Sequence, residues 1–502
     1  MLFNSLHFIV FFAVVVLLYF SIPFRFRWAL LLCASYYFYG SWRADYLVLL
    51  IIPTAVNFFA GRLIAGERVA ARKKAYLAAA VAVSLGILFS FKYFNFFTSA
   101  VDSLLLPFGS AGVLPRLDVM LPVGISFYTF QGISYVADVY SGKKRAERHA
   151  GVFALYMSFF PQLVAGPIER PGRLLPQFFT SKTLDYSRMS HGAMLMLSGF
   201  FKKLVIADRL SPFVDSVYGL PGEYSGIHCL AATLFFSFQI YYDFSGYTDI
   251  AVGAARIMGF DLMRNFDSPY FSQSVREFWQ RWHISLSTWF RDYVYIPLGG
   301  NRGSLARTVF NLMAVFILSG LWHGAGWTFL VWGALHGALY SLSLVAKKYS
   351  HASHSFDGSG RNGATLRTAA PARYSKPLKI AVTFCAVSFL WIFFRAPSIG
   401  IAFEVIRSLS HLPSEIARAA SGDAMWVHKF FAGTGFSPFD LFVGISSIAG
   451  IEYVQLVNRG RSVWKMFSES NILVRWGVWY ALIFIIVLLG KFNDQAFIYF
   501  QF

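Results

Sequence analysis

The chain has 502 residues, of which 56% are hydrophobic and 14% charged, with a mean hydropathy of +0.53 and a net charge of +19. Soluble domains carry roughly 25% charged residues. Here the shortfall runs the whole length, which excludes a soluble enzyme on a single anchor and points to an all-α polytopic membrane protein. The basic residues cluster in short loops between apolar runs, so the positive-inside bias accounts for them, and nucleic acid is not an expected partner.

A spanning helix needs about 20 mostly apolar residues. That rule marks 7–21, 28–41, 46–64, 76–92, 151–167, 228–242, 308–322, 326–345, 377–394, 438–452 and 473–490. The stretches 93–107, 118–138 and 190–211 are apolar but interrupted by Pro, Gly or charge. They read as tilted or re-entrant segments, which lipid tolerates only where protein buries them. The expectation is about 11 to 14 membrane segments by this length rule, with no soluble domain between them. No charged region precedes the first apolar run, whose first basic neighbour is Arg25, so a cleavable signal peptide is not expected. Arg25 and Arg27, then Arg68, Arg72, Lys73 and Lys74, then Lys143, Lys144, Arg145 and Arg148 mark cytoplasmic loops and put the N-terminus outside. The whole chain, 1–502, reads as a single membrane domain with a catalytic core over about 118–345. A flexible, Ser-, Gly- and Ala-rich cytoplasmic linker follows over 346–376, with His351 and His354 solvated in it, and C-terminal helices occupy 377–502. The stretch 411–437 is less basic and is expected to face outward. Cys33, Cys229 and Cys385 each stand alone in apolar surroundings, as small buried hydrophobes with no metal or redox spacing.

Over 270–300 the pattern changes. Val275, Phe278, Trp279, Trp282, Leu286, Trp289 and Phe290 recur at helical spacing, with Arg276, Arg281 and Arg291 on the flanks. A helix rich in Trp and Arg with this stripe is expected to lie along a membrane interface. It carries His283.

Ionisable groups at membrane depth are costly and usually have a task or a partner. His323 ends the apolar run Phe310 to Trp322, in Gly320-Leu-Trp-His-Gly324. A neutral imidazole there is suited to take a proton from a hydroxyl as it attacks an acyl carbonyl; a core histidine bonded to a backbone carbonyl is the bland alternative. His283 is the candidate to orient or polarise a substrate group. His336, in Trp332-Gly-Ala-Leu-His-Gly337, is read as packing or support for the site, and Trp322 as part of its surroundings. Asp243 and Asp249 line a polar cavity or bond a broken helix, since carboxylates six apart share a helix face poorly. Arg291 and Asp292 are expected to pair with charged neighbours at the helix end, and Arg281 and Asp292 are candidates to support the site or line a tunnel. Ser245 lacks the flanking glycines of a nucleophile elbow. Glu169 and Arg170 follow Gly166-Pro167 as a paired helix terminus, and Gly299-Gly-Asn-Arg-Gly303 is a tight turn without the Lys-Ser/Thr of a phosphate loop.

The string Asp267 to Arg302, with Glu277-Phe-Trp-Gln-Arg-Trp-His-Ile-Ser285 at its centre, resembles the signature of the membrane-bound O-acyltransferase (MBOAT) family, in its bacterial alginate O-acetyltransferase branch. Gly320-Leu-Trp-His-Gly324, Trp332 to Gly337, Leu121 to Tyr128, Tyr242-Asp-Phe-Ser-Gly-Tyr-Thr-Asp249, Met1 to Ser5 and Phe497 to Phe502 belong to the same pattern. The resemblance covers essentially the whole chain. It implies a multi-helix membrane fold with a central tunnel, transfer of an acyl group to a hydroxyl, His323 as the near-invariant histidine and His283 as the second site histidine. It further implies acetyl-CoA as cytoplasmic donor with no bound cofactor or metal, a periplasmic acetyltransferase partner, an exopolysaccharide acceptor and the bacterial inner membrane as location, in contact with membrane lipid. Two alternatives stand beside it. One is D-alanyl transfer to a cell-wall polymer; the other is a transporter, for which the paired broken helices of two repeated halves are missing.

Overall fold

The computed structural model describes residues 1–108, 112, 114–164, 166–355, 375–420, 430–457, 463–492 and 497–498, and no strand occurs among them. The helices are α1 (Leu6–Ser21), α2 (Phe24–Gly40), α3 (Leu47–Gly66), α4 (Ala70–Leu88), α5 (Phe94–Leu105), α6 (Ile125–Tyr140), α7 (Ala150–Ser158), α8 (Phe160–Leu163), α9 (Pro171–Leu174), α10 (Tyr186–Phe200) and α11 (Asp208–Gly219). They continue with α12 (Gly226–Ile257), α13 (Val275–Arg281), α14 (Ile284–Phe290), α15 (Leu305–His323), α16 (Trp327–Ser355), α17 (Lys376–Arg395), α18 (Ile399–Leu409), α19 (Leu412–Ala420), α20 (Pro438–Val457), α21 (Val463–Glu469) and α22 (Ile472–Leu489). Serine or aspartate side chains cap the helices where the sequence supplies them, as Asp185 does for α10, Ser274 for α13 and Ser304 for α15.

Seven helical segments among the described residues are long and apolar enough to cross a membrane: Leu47–Gly66, Ala70–Phe108, Leu305–His323, Trp327–Ala346, Lys376–Arg395, Pro438–Val457 and Ile472–Leu489. The chain is a multi-pass membrane protein. The remaining expected segments take other forms for local reasons. Residues 76–92 and 93–107 merge into one continuous helical run. The stretch 151–167 breaks at Phe159, ahead of Pro161, and 118–138 is not helical until Gly124 turns through a positive φ of 77°. Residues 228–242 fall in the first half of the 32-residue α12, which also carries two ion-paired aspartates. α16 continues to Ser355, past the expected start of the linker at 346; residues 356–374 and the side chains of His351 and His354 lie outside the described residues. Cys229 is buried as expected, but Cys33 and Cys385 are exposed, because their helices turn those faces outward.

The chain forms two compact units. One comprises Met1–Pro212, Phe238–Arg264 and Gly435–Phe502; the other comprises Phe213–Ser237 and Asn265–Thr434. In the first, α10 packs on the second half of α12 through paired glycines. A Cβ on Gly192 would come within 2.7 Å of the Gly253 carbonyl, and one on Gly199 within 2.5 Å of the Gly246 carbonyl. Small residues at such crossings let backbones touch where no hydrophobic force drives association. α10 then widens into a π-helical turn at Phe201–Ala207, which turns Lys203 inward. Its ammonium lies 2.9 Å from Asp208 and 2.8 Å from Asp243, and the second Asp243 oxygen accepts the backbone N–H of Ile498 at 2.8 Å.

The second unit is built on the α15–α16 hairpin. A Cβ on Gly320 would strike the Phe329 carbonyl at 2.2 Å, and one on Gly333 the Phe316 carbonyl at 2.3 Å. This close crossing brings His323 to the side of Trp332.

Breaking a buried ion pair by removing one partner strands the other charge and costs about 3 to 5 kcal/mol. Lys203→Met is therefore expected to lower the thermal midpoint of the purified protein sharply, while Asp208→Asn combined with Lys203→Met recovers part of the loss; the check is a melt followed by size exclusion in detergent.

Candidate functional site

The stripe from Ser272 to Phe290 does not form one helix. α13 ends at Arg281 and α14 begins at Ile284, and between them His283 takes a left-handed backbone with φ 42° and ψ 56°. Such a conformation is uncommon outside glycine and clusters where surrounding contacts over-determine it. Those contacts come from the loop before α13. The Asn265 carbonyl accepts the N–H of Ile284 at 2.9 Å, and the Asn265 side chain accepts the Ser285 hydroxyl at 2.6 Å. The Arg281 carbonyl accepts the N–H of Asp267 at 3.0 Å, while the Arg281 guanidinium bonds the Asp267 carbonyl and pairs with Glu277 at 2.8 Å. The break swings His283 out of the helical register and into the protein.

The expected interfacial placement is corrected at the same time. Phe278, Trp279, Trp282, Leu286, Trp289 and Phe290 are all buried, and of the two helices only Arg276 and Gln280 are exposed, with Arg291 exposed just after α14. The aromatic face packs on protein: Trp279 meets Phe316 of α15 at 5.2 Å between ring centroids, and Trp282 meets Trp391 of α17 at 5.1 Å. His283 is fully buried and does not reach water.

His283 and His323 face each other with ring centroids 6.2 Å apart. His323 is the last residue of α15, and Gly324 follows it with no room for a Cβ, which would lie 2.1 Å from the Phe329 ring. Aromatic edges enclose the pair. Trp322 lies 5.7 Å from His283 and 4.9 Å from His323; Trp332 and Phe394 lie 5.1 Å and 5.3 Å from His323. Burial alone pushes the pKa of His283 down to about 3, so it is neutral at any physiological pH.

His336 is fully buried one ring further out, with its centroid 5.0 Å from that of Trp332. Its Nδ1 accepts the indole N–H of Trp279 at 3.2 Å. An indole can only donate, so Nδ1 carries the lone pair and the ring proton sits on Nε2. The contact ties α16 to α13 four residues before His283.

Beside this cluster a cavity of about 660 Å³ opens between α13, α14, α15 and α16. Its wall includes Ile284, next to His283; Ser319, one turn before His323; and Trp279, the partner of His336. Its polar lining includes Arg276, Arg291 and Asn301, and its aromatic lining Phe316, Tyr295 and Tyr340. Arg291 also holds Asp292 at 2.8 Å, as expected from the sequence.

The other sequence candidates fall elsewhere. Asp243 and Asp249 belong to the first unit, on an unbroken α12, and each is met by a lysine: Lys203 and, at 2.6 Å, Lys202. They are ion-paired groups on a continuous helix, not the lining of a break. Ser245 is on the same regular helix and has no elbow. Glu169 is buried and accepts the N–H of Met263, with Arg173 4.0 Å away; burial pushes its pKa up to about 7. Gly299, Gly300 and Gly303 all take positive φ, as a tight turn requires. Trp391, Phe394 and Asn265 were not legible as site residues. Trp391 and Phe394 sit in an ordinary apolar helix, and nothing in the sequence marks the Asn265 carbonyl as the acceptor that breaks α13 from α14.

The profile of the MBOAT, membrane-bound O-acyltransferase family, matches residues 149–357. The chain is 41% identical over 396 residues to "Probable alginate O-acetylase AlgI" of Azotobacter vinelandii, covering 78% of this chain and 74% of that protein. It is 33% identical to the peptidoglycan O-acetyltransferase of Helicobacter pylori, covering 83% and 82%. It is 28% identical to the teichoic acid D-alanyltransferase of Bacillus subtilis, covering 51% and 69%.

Two outcomes are expected. In the unfolded chain the His283 imidazole takes up a proton as pH falls below its ordinary 6.5, and in the folded chain only near 3. Stability is therefore lost on acidification through that window, and the thermal midpoint is expected to fall less between pH 7 and pH 5 in His283→Asn, whose side chain tolerates left-handed backbone. At His336, Asn presents an oxygen near the Nδ1 position and Gln presents one near Nε2. His336→Asn is expected to keep the Trp279 bond and the melting temperature, and His336→Gln to lose about 1 to 3 kcal/mol from the stranded indole; equal behaviour of the two variants overturns the assigned proton position.

Proposed function

The chain belongs to the membrane-bound O-acyltransferase family and is an O-acyltransferase, and on that premise we propose that it moves acetyl from cytoplasmic acetyl-CoA to a hydroxyl on the outer face of a bacterial inner membrane. The observation that carries the reading is the pair of buried imidazoles, His283 and His323, 6.2 Å apart inside one aromatic enclosure.

His323 takes the proton of the acceptor hydroxyl as its oxygen attacks the thioester carbonyl. The tetrahedral intermediate collapses with loss of the thiolate, which recovers the proton from the imidazolium. One C–O bond forms, one C–S bond breaks, and the histidine ends as it began. His283, kept neutral by burial, orients the acyl group or meets the developing oxyanion as an N–H dipole and not as a cation. The aromatic walls keep out the water that would otherwise hydrolyse the thioester.

The cavity beside the histidines suits the donor. Its apolar throat accommodates the pantetheine arm, and Arg276 and Arg291 match the phosphates of a coenzyme A. α16 leads from this region into the stretch 347–376, whose basic composition favours the cytoplasmic side. The acceptor approaches from outside, so that acetyl crosses while the nucleotide does not. Its identity follows the relatives: the alginate O-acetylase and peptidoglycan O-acetyltransferase names support a polysaccharide, reached through a periplasmic acetyltransferase that carries acetyl from this chain to the sugar. The same relatives favour acetyl over D-alanyl as the group moved.

His323→Ala is expected to fold and insert normally and to lose roughly a hundredfold to ten-thousandfold in transfer rate, the usual weight of a general base. The measurement is thiol release from acetyl-CoA by the purified protein, together with acetyl content of the polymer in cells. Normal acetylation in that variant overturns the assignment. His283→Ala is expected to lose most activity; if His283→Asn, which accepts the same backbone, is equally slow, the loss belongs to the imidazole and not to the turn.

A further inference from the structure

We infer that the first unit carries a binding site for an anionic glycerophospholipid, in a cleft that takes no part in acyl transfer. A cavity of about 740 Å³ opens between the N-terminal half of α10, the short helix α21 and the start of α22. Ser187 and Ser190 line it from α10, Trp464 from α21, and Arg475, Trp476 and Trp479 from α22. Arg475 is the sole charged residue in that lining. Its Nε is shielded from water and has no hydrogen-bond partner among the described residues. A guanidinium whose Nε is left unsatisfied among tryptophans calls for an anion that is partly apolar.

The surroundings say which anion. α22 has the highest hydropathy of the seven spans, 2.4, and only 6% of its window is buried, so lipid covers nearly its whole surface. Arg475 and its tryptophans sit in the first turns of that span, at the level where indoles and headgroups meet. The start of α10 is tied to the basic end of α2, where Arg27 donates to the Lys182 carbonyl at 2.6 Å. The positive-inside bias puts that end in the cytoplasmic leaflet, which is the anionic one. The far wall is braced. The His191 ring stacks on Trp464 with centroids 4.5 Å apart and planes within 1°, and Arg256 reaches the His191 ring at 2.9 Å. Glu469 of α21 is drawn to Lys465 at 3.9 Å and not toward the cleft. A lipid phosphate then meets Arg475 and the serine hydroxyls, with its acyl chains along Trp476, Trp479 and the outer face of α22.

The test uses the full chain in nanodiscs of phosphatidylglycerol or of phosphatidylcholine, with bound lipid counted by native mass spectrometry and the melting temperature followed in parallel. Wild type is expected to retain phosphatidylglycerol and melt higher in its presence. Arg475→Gln is expected to retain about fivefold less, the weight of one basic group at an anionic surface, while Arg475→Lys keeps it. Trp476→Ala, at a half-exposed position where folding tolerates the change, is expected to weaken retention of both lipids. Equal retention by wild type and Arg475→Gln overturns the site. So does full displacement by inorganic phosphate, which would make it a site for a soluble anion. Thiol release from acetyl-CoA is expected to be unchanged in Arg475→Gln, which keeps this result separate from the fate of the acyl-transfer reading.

Discussion

Two imidazoles withdrawn from water must be held in place by something other than their own solvation. In the second unit the holding is done by backbone. His283 faces His323 because the chain between α13 and α14 turns left-handed there, and it does so because Asn265 and Asp267 supply the hydrogen bonds that a continuous helix would have made for itself. Strain of this kind costs of order 1 to 3 kcal/mol and survives only when neighbours over-determine it. Here the neighbours are the loop at 265–267 on one side and a shell of tryptophans on the other.

That shell explains why the surrounding helices are so aromatic. Trp279, Trp282, Trp322, Trp332 and Trp391 interlock at centroid distances between 4.9 and 6.3 Å with one another and with the histidines. Flat rings fill the space around an imidazole without offering it a competing acid or base. They also keep His283 away from water, the medium that would charge it. The glycines at Gly320 and Gly333 serve the same end by letting α15 and α16 approach until His323 touches Trp332. His336 works at one remove: its bond to Trp279 fixes the helix that leads to His283.

The first unit solves a different problem with charge. Lys203, turned inward by a π-helical bulge, satisfies Asp208 and Asp243, and Asp243 in turn holds the backbone of Ile498. The aspartates of the Tyr242 to Asp249 motif looked like site residues because buried carboxylates in a greasy chain demand an explanation. Their explanation is the lysine pair Lys202 and Lys203 in the π-helical turn after α10, which no spacing rule connects to them.

Much of the protein was legible before any coordinate. Composition and run length required a polytopic helical membrane chain, because lipid cannot satisfy an open backbone. The motifs around His283 and His323 carried the family and singled out two histidines that the structure brings together. The glycine turn at 299–303 was equally plain, being local. What the sequence could not show was anything that depends on a partner far along the chain. The helical stripe through His283 is unbroken in its periodicity, with no Gly or Pro to announce a stop, so only the carbonyl of Asn265 decides that the helix ends there. The same stripe suits lipid or protein equally well, and only the packing of α15, α16 and α17 decides that it is buried. Trp391 and Phe394 join the site from a helix that differs in no local respect from its neighbours. Residue identity determined what chemistry was possible; the tertiary structure decided which residues meet, because hydrogen bonds and close packing between distant segments are not written in either one alone.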